Sequence, residues 1–254
     1  LIVAPDAETK ELDKDFLKNK KITFIQDEGK GKPAALNLAF QQAKGDIFIL
    51  TDGDVYCSET SIAALTEPFK DPPVGLVSAR PVSVESSTTM LGFWSHLLTD
   101  IAHRIRSKST FIVGTGYLMA IRKGIVNSIP EDALSDDAVI SHLIYDKNYK
   151  TLYAPQALVY VKYPTTFKDW IKQKKRSAGG YLQLQHYTAK KERMRSFSKE
   201  SLGIGLLLKY IYGPLELVWV ILLILARIYL WIIIFIDLKL KRKSFKQVWV
   251  RIDT

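Results

Sequence analysis

Two aspartates follow a run of apolar residues in the first quarter of the chain. The run IFILT covers residues 47–51, and Asp52 and Asp54 come next with one glycine between them. Two carboxylates this close raise each other's pKa and cost stability unless a positive charge compensates them. A divalent cation would supply that charge, whereas a solvated turn, which an Asp-Gly pair also favours, needs no ligand. The pair therefore indicates either a metal site or a plain turn.

A second pair of aspartates lies in the segment ALSDDAVISHL. Asp136 and Asp137 follow Ser135 directly and precede an apolar helical pattern. Such residues can cap the free N–H groups at a helix start and stabilise the helix by about 1 kcal/mol. A helix start also exposes carboxylates on a rim, where one of them could accept a proton from a substrate. Capping and proton transfer are compatible, and both hypotheses remain open at this point.

Apolar runs of strand length alternate with helix-like stretches over the first 160 or so residues. We predict strands at 1–4, 22–26, 47–51, 75–79, 152–154 and 158–161, and helices at 32–44 and 89–106. This order predicts an α/β fold in which helices cover a mostly parallel sheet and ligands bind at the carboxyl ends of the strands. Asp6 follows the first predicted strand, and Asp52 and Asp54 follow the third, which are positions of that kind.

The charge of the chain is distributed unevenly. The formal net charge is +10, and Lys and Arg concentrate at 162–199 and 239–251. The apolar stretch 214–236 lies between these blocks, and about 23 residues at roughly 1.5 Å each would span a hydrocarbon core of ~30 Å. We therefore expect membrane lipids, and no nucleic acid, as partners of the basic blocks. A single cysteine, Cys57, excludes a disulfide framework within the chain and a cysteine-rich zinc site.

The segment DEGKGKPAALNLAFQQAKGDIFILTDGD, residues 27–54, resembles the family 2 glycosyltransferases. These are inverting nucleotide-sugar enzymes of GT-A fold, and the likeness is chiefly to their membrane-bound polysaccharide-synthase branch. The resemblance implies that Asp54 coordinates Mg²⁺ or Mn²⁺ on the donor diphosphate, and that Asp52 contacts the ribose and the metal shell. It also implies that Lys32 lies beside the donor. Asp6 matches the aspartate that binds the uracil edge, so the resemblance implies a UDP-sugar donor.

Two later segments continue the resemblance. In ALSDDAVISHLIYDKNYKTLYAPQALVY, Asp137 matches the catalytic base of the family, and Asp136 takes the place of the preceding glutamate. The segment QKKRS is similar to the Gln-x-x-Arg-Trp motif of processive synthases, with matches at Gln173 and Arg176. Both matching residues are implied to bind the donor. Ser177 stands where the motif has tryptophan, which normally stacks near the acceptor sugar.

The segment VGTGYLMAIRK resembles the acceptor-site strand of the family. Gly114, Thr115 and Gly116 are implied to bind the acceptor, because glycine lets a sugar approach the backbone closely. The resemblance implies a growing polysaccharide or a lipid-linked sugar as acceptor.

Four parts are expected along the chain. Residues 1–161 would form the GT-A catalytic domain, 162–200 amphipathic interface helices, 201–238 a transmembrane helix or hairpin, and 239–254 a basic tail. The strand that precedes LIVAPD in the family is absent from this sequence, and we expect it upstream. Nucleotide sugars are found in the cytoplasm, so we expect an integral membrane protein whose catalytic domain faces that side.

Two other functions compete with the transferase. Haloacid-dehalogenase-like phosphatases also carry Asp-x-Asp after an apolar strand, and Asp52 would then be the nucleophile and Asp54 the general acid. That hypothesis leaves GKGKPAALN and the apolar run unexplained, and no apolar strand precedes PEDALSDD. The other alternative is a non-catalytic membrane scaffold that binds nucleotide.

Overall fold

The structure is a computed structural model that describes residues 2–3, 21–25, 30–187 and 204–237. The strands in these ranges are β1 (Ile2–Val3), β2 (Thr23–Phe24), β3 (Ile47–Thr51), β4 (Tyr56–Cys57), β5 (Val74–Ser83), β6 (Leu118–Arg122) and β7 (Lys150–Val161). The α-helices are α1 (Lys32–Gln42), α2 (Ser61–Thr66), α3 (Met90–Arg106), α4 (Asp136–Asp146), α5 (Phe167–Gln183), α6 (Ile204–Leu207) and α7 (Pro214–Phe235). Short 3₁₀ turns cover Glu67–Lys70, Leu184–His186 and Leu208–Tyr210.

The main sheet is mixed, so the prediction of a mostly parallel sheet is wrong. Its strand order is β3-β6-β5-β7-β4, and only the β5–β7 pair within it is parallel. Strand β6 runs antiparallel to both β3 and β5, and β4 runs antiparallel to β7. The connection 107–117 between α3 and β6 is long enough, at up to about 3.5 Å per residue, to return the chain across the sheet. An apolar run of strand length carries no signal for that change of direction.

Several predicted elements have the expected bounds. Strand β3 covers Ile47–Thr51 as predicted, and α3 lies within the predicted 89–106. The two predicted strands at 152–154 and 158–161 are one strand, β7, because its pairing with β5 continues through a register irregularity between Ser78 and Arg80.

Both faces of the sheet are covered. Successive residues of β5 point to opposite faces, so Leu76 packs in one apolar cluster and Val77 in another. The first cluster includes Ile140 from α4 and Phe40 from α1, and the second includes Leu65 from α2. This two-sided burial makes the sheet a rigid support for the loops at its edges.

Helix α7 packs against the α/β domain on one of its faces. Val220 and Leu223 are buried in an apolar cluster with Trp94 of α3 and Trp170 of α5. The indole Nε1 of Trp94 donates a hydrogen bond to the carbonyl of Trp219 at 2.8 Å. Among the described residues, α7 is the one helix long and apolar enough to cross a bilayer. A second such helix, which a hairpin needs, does not occur in these ranges.

Candidate active site

The β3–β6 ladder brings the first aspartate pair close to residues 114–116, which were predicted to bind the acceptor. We call these residues the predicted acceptor loop. Thr51, the last residue of β3, pairs with Leu118, the first residue of β6. The Thr51 hydroxyl also donates a hydrogen bond to the carbonyl of Tyr117 at 2.9 Å. Asp52, which follows Thr51, therefore lies beside the loop that ends at Tyr117. Asp52 and this loop line one cavity of about 1710 Å³.

Lys32 joins the two aspartate pairs. It is the first residue of α1 and follows Gly31, whose φ of 96° is a left-handed conformation that favours glycine. The Lys32 Nζ lies 2.5 Å from Asp52 Oδ1 and 3.1 Å from Asp136 Oδ2. Burial disfavours the ammonium, but the carboxylates of Asp136, Asp52 and Asp137 outweigh this and raise the pKa of Lys32 above its ordinary value. Lys32 is therefore a permanent cation between the two pairs.

Asp137 is held at both carboxylate oxygens. Its Oδ1 accepts hydrogen bonds from the Ser135 hydroxyl and the Ala138 backbone N–H, both at 2.8 Å. Its Oδ2 accepts one from the Gly116 backbone N–H at 3.1 Å. Burial raises the pKa of Asp137, and the charge of Asp136 raises it further, against the Ser135 hydrogen bond and the Lys32 charge. An oriented carboxylate with a raised pKa is suited to accept a proton from a substrate hydroxyl.

The start of α4 does not use Ser135 as a capping side chain. Ser135 occupies the N-cap position of the helix that begins at Asp136, but its side chain makes no capping hydrogen bond. Its hydroxyl donates to Asp137 instead. The capping hypothesis for Ser135 is therefore wrong, and the hydroxyl orients the neighbouring carboxylate.

The glycines of the predicted acceptor loop have structural reasons of their own. A Cβ at Gly114 would lie 2.5 Å from Met119 Sδ, so packing alone requires glycine there. The Gly114 N–H donates to the Ser141 hydroxyl at 2.8 Å, which itself donates to the carbonyl of Asp137 at 2.6 Å. Gly114, Thr115 and Gly116 all line the cavity. The space beside Gly114 is filled by protein, so an approaching sugar is not the reason for this glycine.

Helix α5 brings its two predicted donor-binding residues to the same cavity. Gln173 and Arg176 both line it, together with Ser177. The helix approaches the start of α4 closely, because a Cβ at Gly180 would lie 2.6 Å from Ser135 Cβ. The Gln173 Oε1 is buried and accepts no hydrogen bond from the residues that the structure describes. A bound ligand with a hydroxyl or N–H group would satisfy it.

Two tyrosines that the sequence analysis did not select also line the cavity. The rings of Tyr117 and Tyr163 meet edge to face with centroids 6.1 Å apart. Lys174 Nζ lies 6.0 Å from the Tyr163 ring and 5.9 Å from the Trp170 ring. Burial raises the pKa of Tyr117 to about 12, so this phenol is a hydrogen-bond donor at neutral pH. Its position directly after Gly116 is the sequence signal that could have identified it.

Asp52 and Asp54 fit a divalent cation that a substrate helps to bind. Burial raises the pKa of Asp52, the Lys32 charge opposes this, and the negative charges of Asp136 and Asp54 add to it. A further cation is therefore favourable at this edge of the cavity. Within the described ranges no group of three or more metal-ligating side chains occurs. Mg²⁺ is commonly bound by one or two carboxylates and completed by substrate phosphates, which matches this donor set.

All but one of the sequence-predicted site residues line this single cavity. They are Lys32, Asp52, Asp54, Gly114, Thr115, Gly116, Asp136, Asp137, Gln173 and Arg176. Asp6 lies outside the described residues, so its predicted contact with the base stays a prediction.

The fold is similar to that of a solved transferase. The mannosyltransferase PcManGT from Pyrobaculum calidifontis, solved with GDP-Man and Mn²⁺, superposes with a TM-score of 0.57 at 18% identity. The match covers 98% of this chain and 72% of that one. This superposition supports the α/β GT-A-like fold with its mixed sheet.

Two curated relatives share the same region. The probable glycosyltransferase YdaM of Bacillus subtilis (strain 168) is 27% identical over 177 residues, which cover 65% of this chain and 41% of the relative. The poly-beta-1,6-N-acetyl-D-glucosamine synthase of Staphylococcus aureus (strain COL) is 25% identical over 182 residues, 68% of this chain and 44% of the relative. The chain thus spans less than half the length of these relatives.

A family model covers most of the chain. The model for glycosyl transferase family group 2 matches residues 47–237. This range contains both aspartate pairs, the acceptor loop, α5 and α7. The match does not favour the phosphatase or the scaffold alternative, and the chain belongs to glycosyl transferase family group 2.

Proposed function

We propose that this chain is the catalytic part of an inverting glycosyltransferase that moves a sugar from a nucleotide sugar to a glycan or lipid-linked acceptor. The observation that carries the proposal is the meeting of the two aspartate pairs. Lys32 bridges Asp52 and Asp136, and Asp137 lies beside them in the same cavity. This arrangement offers a donor side and a proton acceptor within one cleft.

Asp137 acts as the general base in this proposal. An acceptor hydroxyl loses its proton to Asp137 as its oxygen attacks the anomeric carbon of the donor sugar, and the bond to the nucleoside diphosphate breaks on the opposite face. The configuration at the anomeric carbon is therefore inverted. Ser135 and the Gly116 N–H hold the carboxylate in place. Asp136, as the ion-pair partner of Lys32, positions that cation next to the base.

The donor would bind on the Asp52 side. Asp54 and Asp52 would hold Mg²⁺ or Mn²⁺, which when bound neutralises the charge of the diphosphate. Lys32, Gln173 and Arg176 would contact the donor from the other walls of the cavity. Asp6 would recognise the base, and a UDP-sugar is the expected donor. The mannosyltransferase PcManGT was solved with GDP-Man and Mn²⁺, which supports nucleotide-sugar and metal use without specifying the base.

Membrane attachment through α7 belongs to the same proposal. The helix has a span-length apolar sequence, and large apolar side chains on its outer face are exposed, among them Leu225 and Ile232. Lipids would cover this face, and the catalytic domain would lie on the cytoplasmic side. The similarity to a polysaccharide synthase is consistent with an enzyme at a membrane.

The experiment compares two active-site variants with an exposed control in the detergent-solubilised chain. Asp137→Asn should keep nucleotide-sugar affinity within a few-fold, whereas turnover should fall by ~10² to 10⁴, the usual effect of losing a general base. Asp54→Ala should abolish metal-dependent donor binding, because the charge of the diphosphate is left uncompensated. Glu67→Gln, an exposed carboxylate paired with Lys70, should change neither quantity.

Nucleoside diphosphate release and donor affinity distinguish the alternatives. Full activity in EDTA, or near-normal transfer by Asp137→Asn, contradicts the proposal. A phosphatase would instead lose a phosphoenzyme on Asp52→Asn, and a scaffold would bind nucleotide without turnover in any sample. A panel of UDP- and GDP-sugars in the same assay identifies the donor.

A further inference from the structure

Two helices, α3 and α7, line part of the same cavity that the aspartate pairs line. We call this part of the cavity the groove. On α3, Ser95 and Thr99 line the cavity, and the apolar part of the wall is formed by Leu98, Ile101, Ala102 and Ile105. These positions are spaced i, i+3, i+4 and i+7, so they form one stripe on one side of the helix. The stripe is about 10 Å long at 1.5 Å per residue.

Helix α7 supplies the opposite wall with the same spacing. Ile224, Arg227, Ile228 and Trp231 line the cavity and again follow i, i+3, i+4 and i+7. This stripe differs from the buried face of α7, which packs on the domain through residues such as Val220 and Leu230, and it borders the exposed face of the helix, because Ile228 is itself 43% exposed. The helix therefore has a third, cavity-facing side that carries one cation among apolar residues.

Cations also lie where the groove meets the active site. Arg106 follows the last residue of the α3 stripe and lines the cavity, as does Arg176 of α5. Burial raises the pKa of Tyr163, and the Arg106 charge opposes this, which indicates that the guanidinium is near that phenol. Tyr163 in turn contacts Tyr117, the residue that follows Gly116. Positive charge from Arg106 and Arg176 thus lies near Tyr163 and Tyr117, whereas the α3 and α7 stripes are apolar apart from Arg227.

We propose that the groove between α3 and α7 binds the hydrocarbon chain of a lipid-linked acceptor whose anionic head reaches Asp137. The inference rests on the proposed function and narrows its acceptor to an amphiphile. An apolar wall favours a hydrocarbon chain and leaves the hydroxyls of a glycan chain without hydrogen-bond partners. Arg106 and Arg176 suit a phosphate next to the acceptor hydroxyl. The exposed outer face of α7 would border the bilayer from which such a lipid enters.

Photolabelling tests the groove directly. The full chain in nonionic detergent is labelled with hexadecyl phosphate that carries a diazirine in its alkyl chain, and the labelled peptides are mapped by mass spectrometry. Labels should fall within 98–105 and 224–231. Excess unlabelled hexadecyl phosphate should reduce labelling at least 5-fold, whereas butyl phosphate and inorganic phosphate should not. Equal competition by the short phosphates would mean an anion site alone and would overturn the proposal.

Matched tryptophan substitutions test the wall. Ala102→Trp fills the α3 side and should reduce labelling at least 5-fold, whereas Leu225→Trp on the exposed face of α7 should leave it unchanged. Ile105→Asp, at a half-exposed position, provides a second wall variant if Ala102→Trp folds poorly, and should reduce labelling similarly. Labels confined to the outer face of α7, unaffected by both wall variants, would overturn the groove.

Donor affinity in the same samples separates the two proposals. Nucleotide-sugar binding that persists without groove labelling rejects the lipid groove and leaves the transferase intact. Groove labelling without nucleotide-sugar binding or turnover rejects the transferase, and the acceptor assignment fails with it.

Discussion

At the residue scale, one ammonium group organises the site. Lys32 is in contact with Asp52 and Asp136, and its charge also opposes the rise in the pKa of Asp137. The two aspartate pairs lie far apart in sequence, and each alone is compatible with a turn or a helix start. Because both pairs interact with the same cation, the loss of any one of these charges is expected to change the pKa values of the other groups.

The pH dependence of turnover should follow the ionisation of the Asp137 carboxyl group, the proposed base. The base must be deprotonated to act, and burial raises its pKa, so kcat/KM should fall as the pH decreases through that raised value. Ser135→Ala removes a hydrogen bond that lowers this pKa, so the acid limb of the pH–rate profile should move to higher pH. Ser107→Ala, which loses the hydroxyl that follows α3 and donates a hydrogen bond to the carbonyl of His103, is the control. An acid limb that Ser135→Ala leaves in place would contradict the assignment.

At the element scale, the close packing of α5 on the start of α4 positions the cavity walls. Gly180 allows the approach, because any larger residue would meet Ser135. The same helix carries Gln173 and Arg176 into the cavity. The distance between α5 and α4 therefore sets how Gln173 and Arg176, the proposed donor-binding residues, face Asp137, the proposed base.

Gly180→Ala should separate activity from stability. The added Cβ would lie 2.6 Å from Ser135 Cβ, so one helix must shift and Ser135 with Asp137 is displaced. Turnover should fall about tenfold or more, since small misplacements of catalytic groups are costly. Helix propensity favours alanine by up to about 1 kcal/mol, which offsets part of the packing loss in the free energy of unfolding. Wild-type turnover in Gly180→Ala would show that the contact is not needed for catalysis.

The end of α7 is joined to α5 by a buried ion pair. Lys175 contacts Asp237, whose side chain is 7% exposed. Lys175→Met should destabilise the folded chain by about 3 kcal/mol, because the carboxylate loses this partner in a buried site. The double variant Lys175→Met/Asp237→Leu should recover most of that loss, since an apolar pair can replace a buried ion pair. Thermal unfolding in detergent measures both variants, and a single variant as stable as the wild type would contradict the role of the pair.

At the scale of the whole molecule, α7 exposes large apolar side chains along one of its faces. Leu225 and Ile232 are 55% and 52% exposed, and further large apolar residues lie on the same outer face. Contiguous apolar patches of this kind mark surfaces that contact lipid or protein. The other two sides of the helix are occupied by the domain and by the cavity.

The chain should therefore need detergent or lipid. Purified protein should float with lipid vesicles and should self-associate when detergent is removed, as size-exclusion chromatography would measure. Leu225→Ser combined with Ile232→Ser should weaken vesicle binding at least several-fold, because both side chains are exposed on the outer face. Monodisperse behaviour of the wild-type chain at high concentration in plain buffer would contradict lipid contact.

The sequence alone determined the features that depend on local signals. An apolar run of five residues defined β3, and an apolar stretch after Gly213-Pro214 with only two charged residues, Glu216 and Arg227, defined α7, because burial and span length leave a direct trace in composition. The site residues were selected by short motifs in a fixed order. Their predicted roles remain to be tested, although the structure brings together all those that it describes.

Only the tertiary structure decided how these parts meet. The direction of β6 depends on the path of a connection, and the pairing of Lys32 with Asp136 depends on two helices that start at one edge of the sheet. The Tyr117–Tyr163 contact and the groove between α3 and α7 join residues that are remote along the chain. Such contacts arise from packing between elements, whose relative orientation no local pattern of residues encodes.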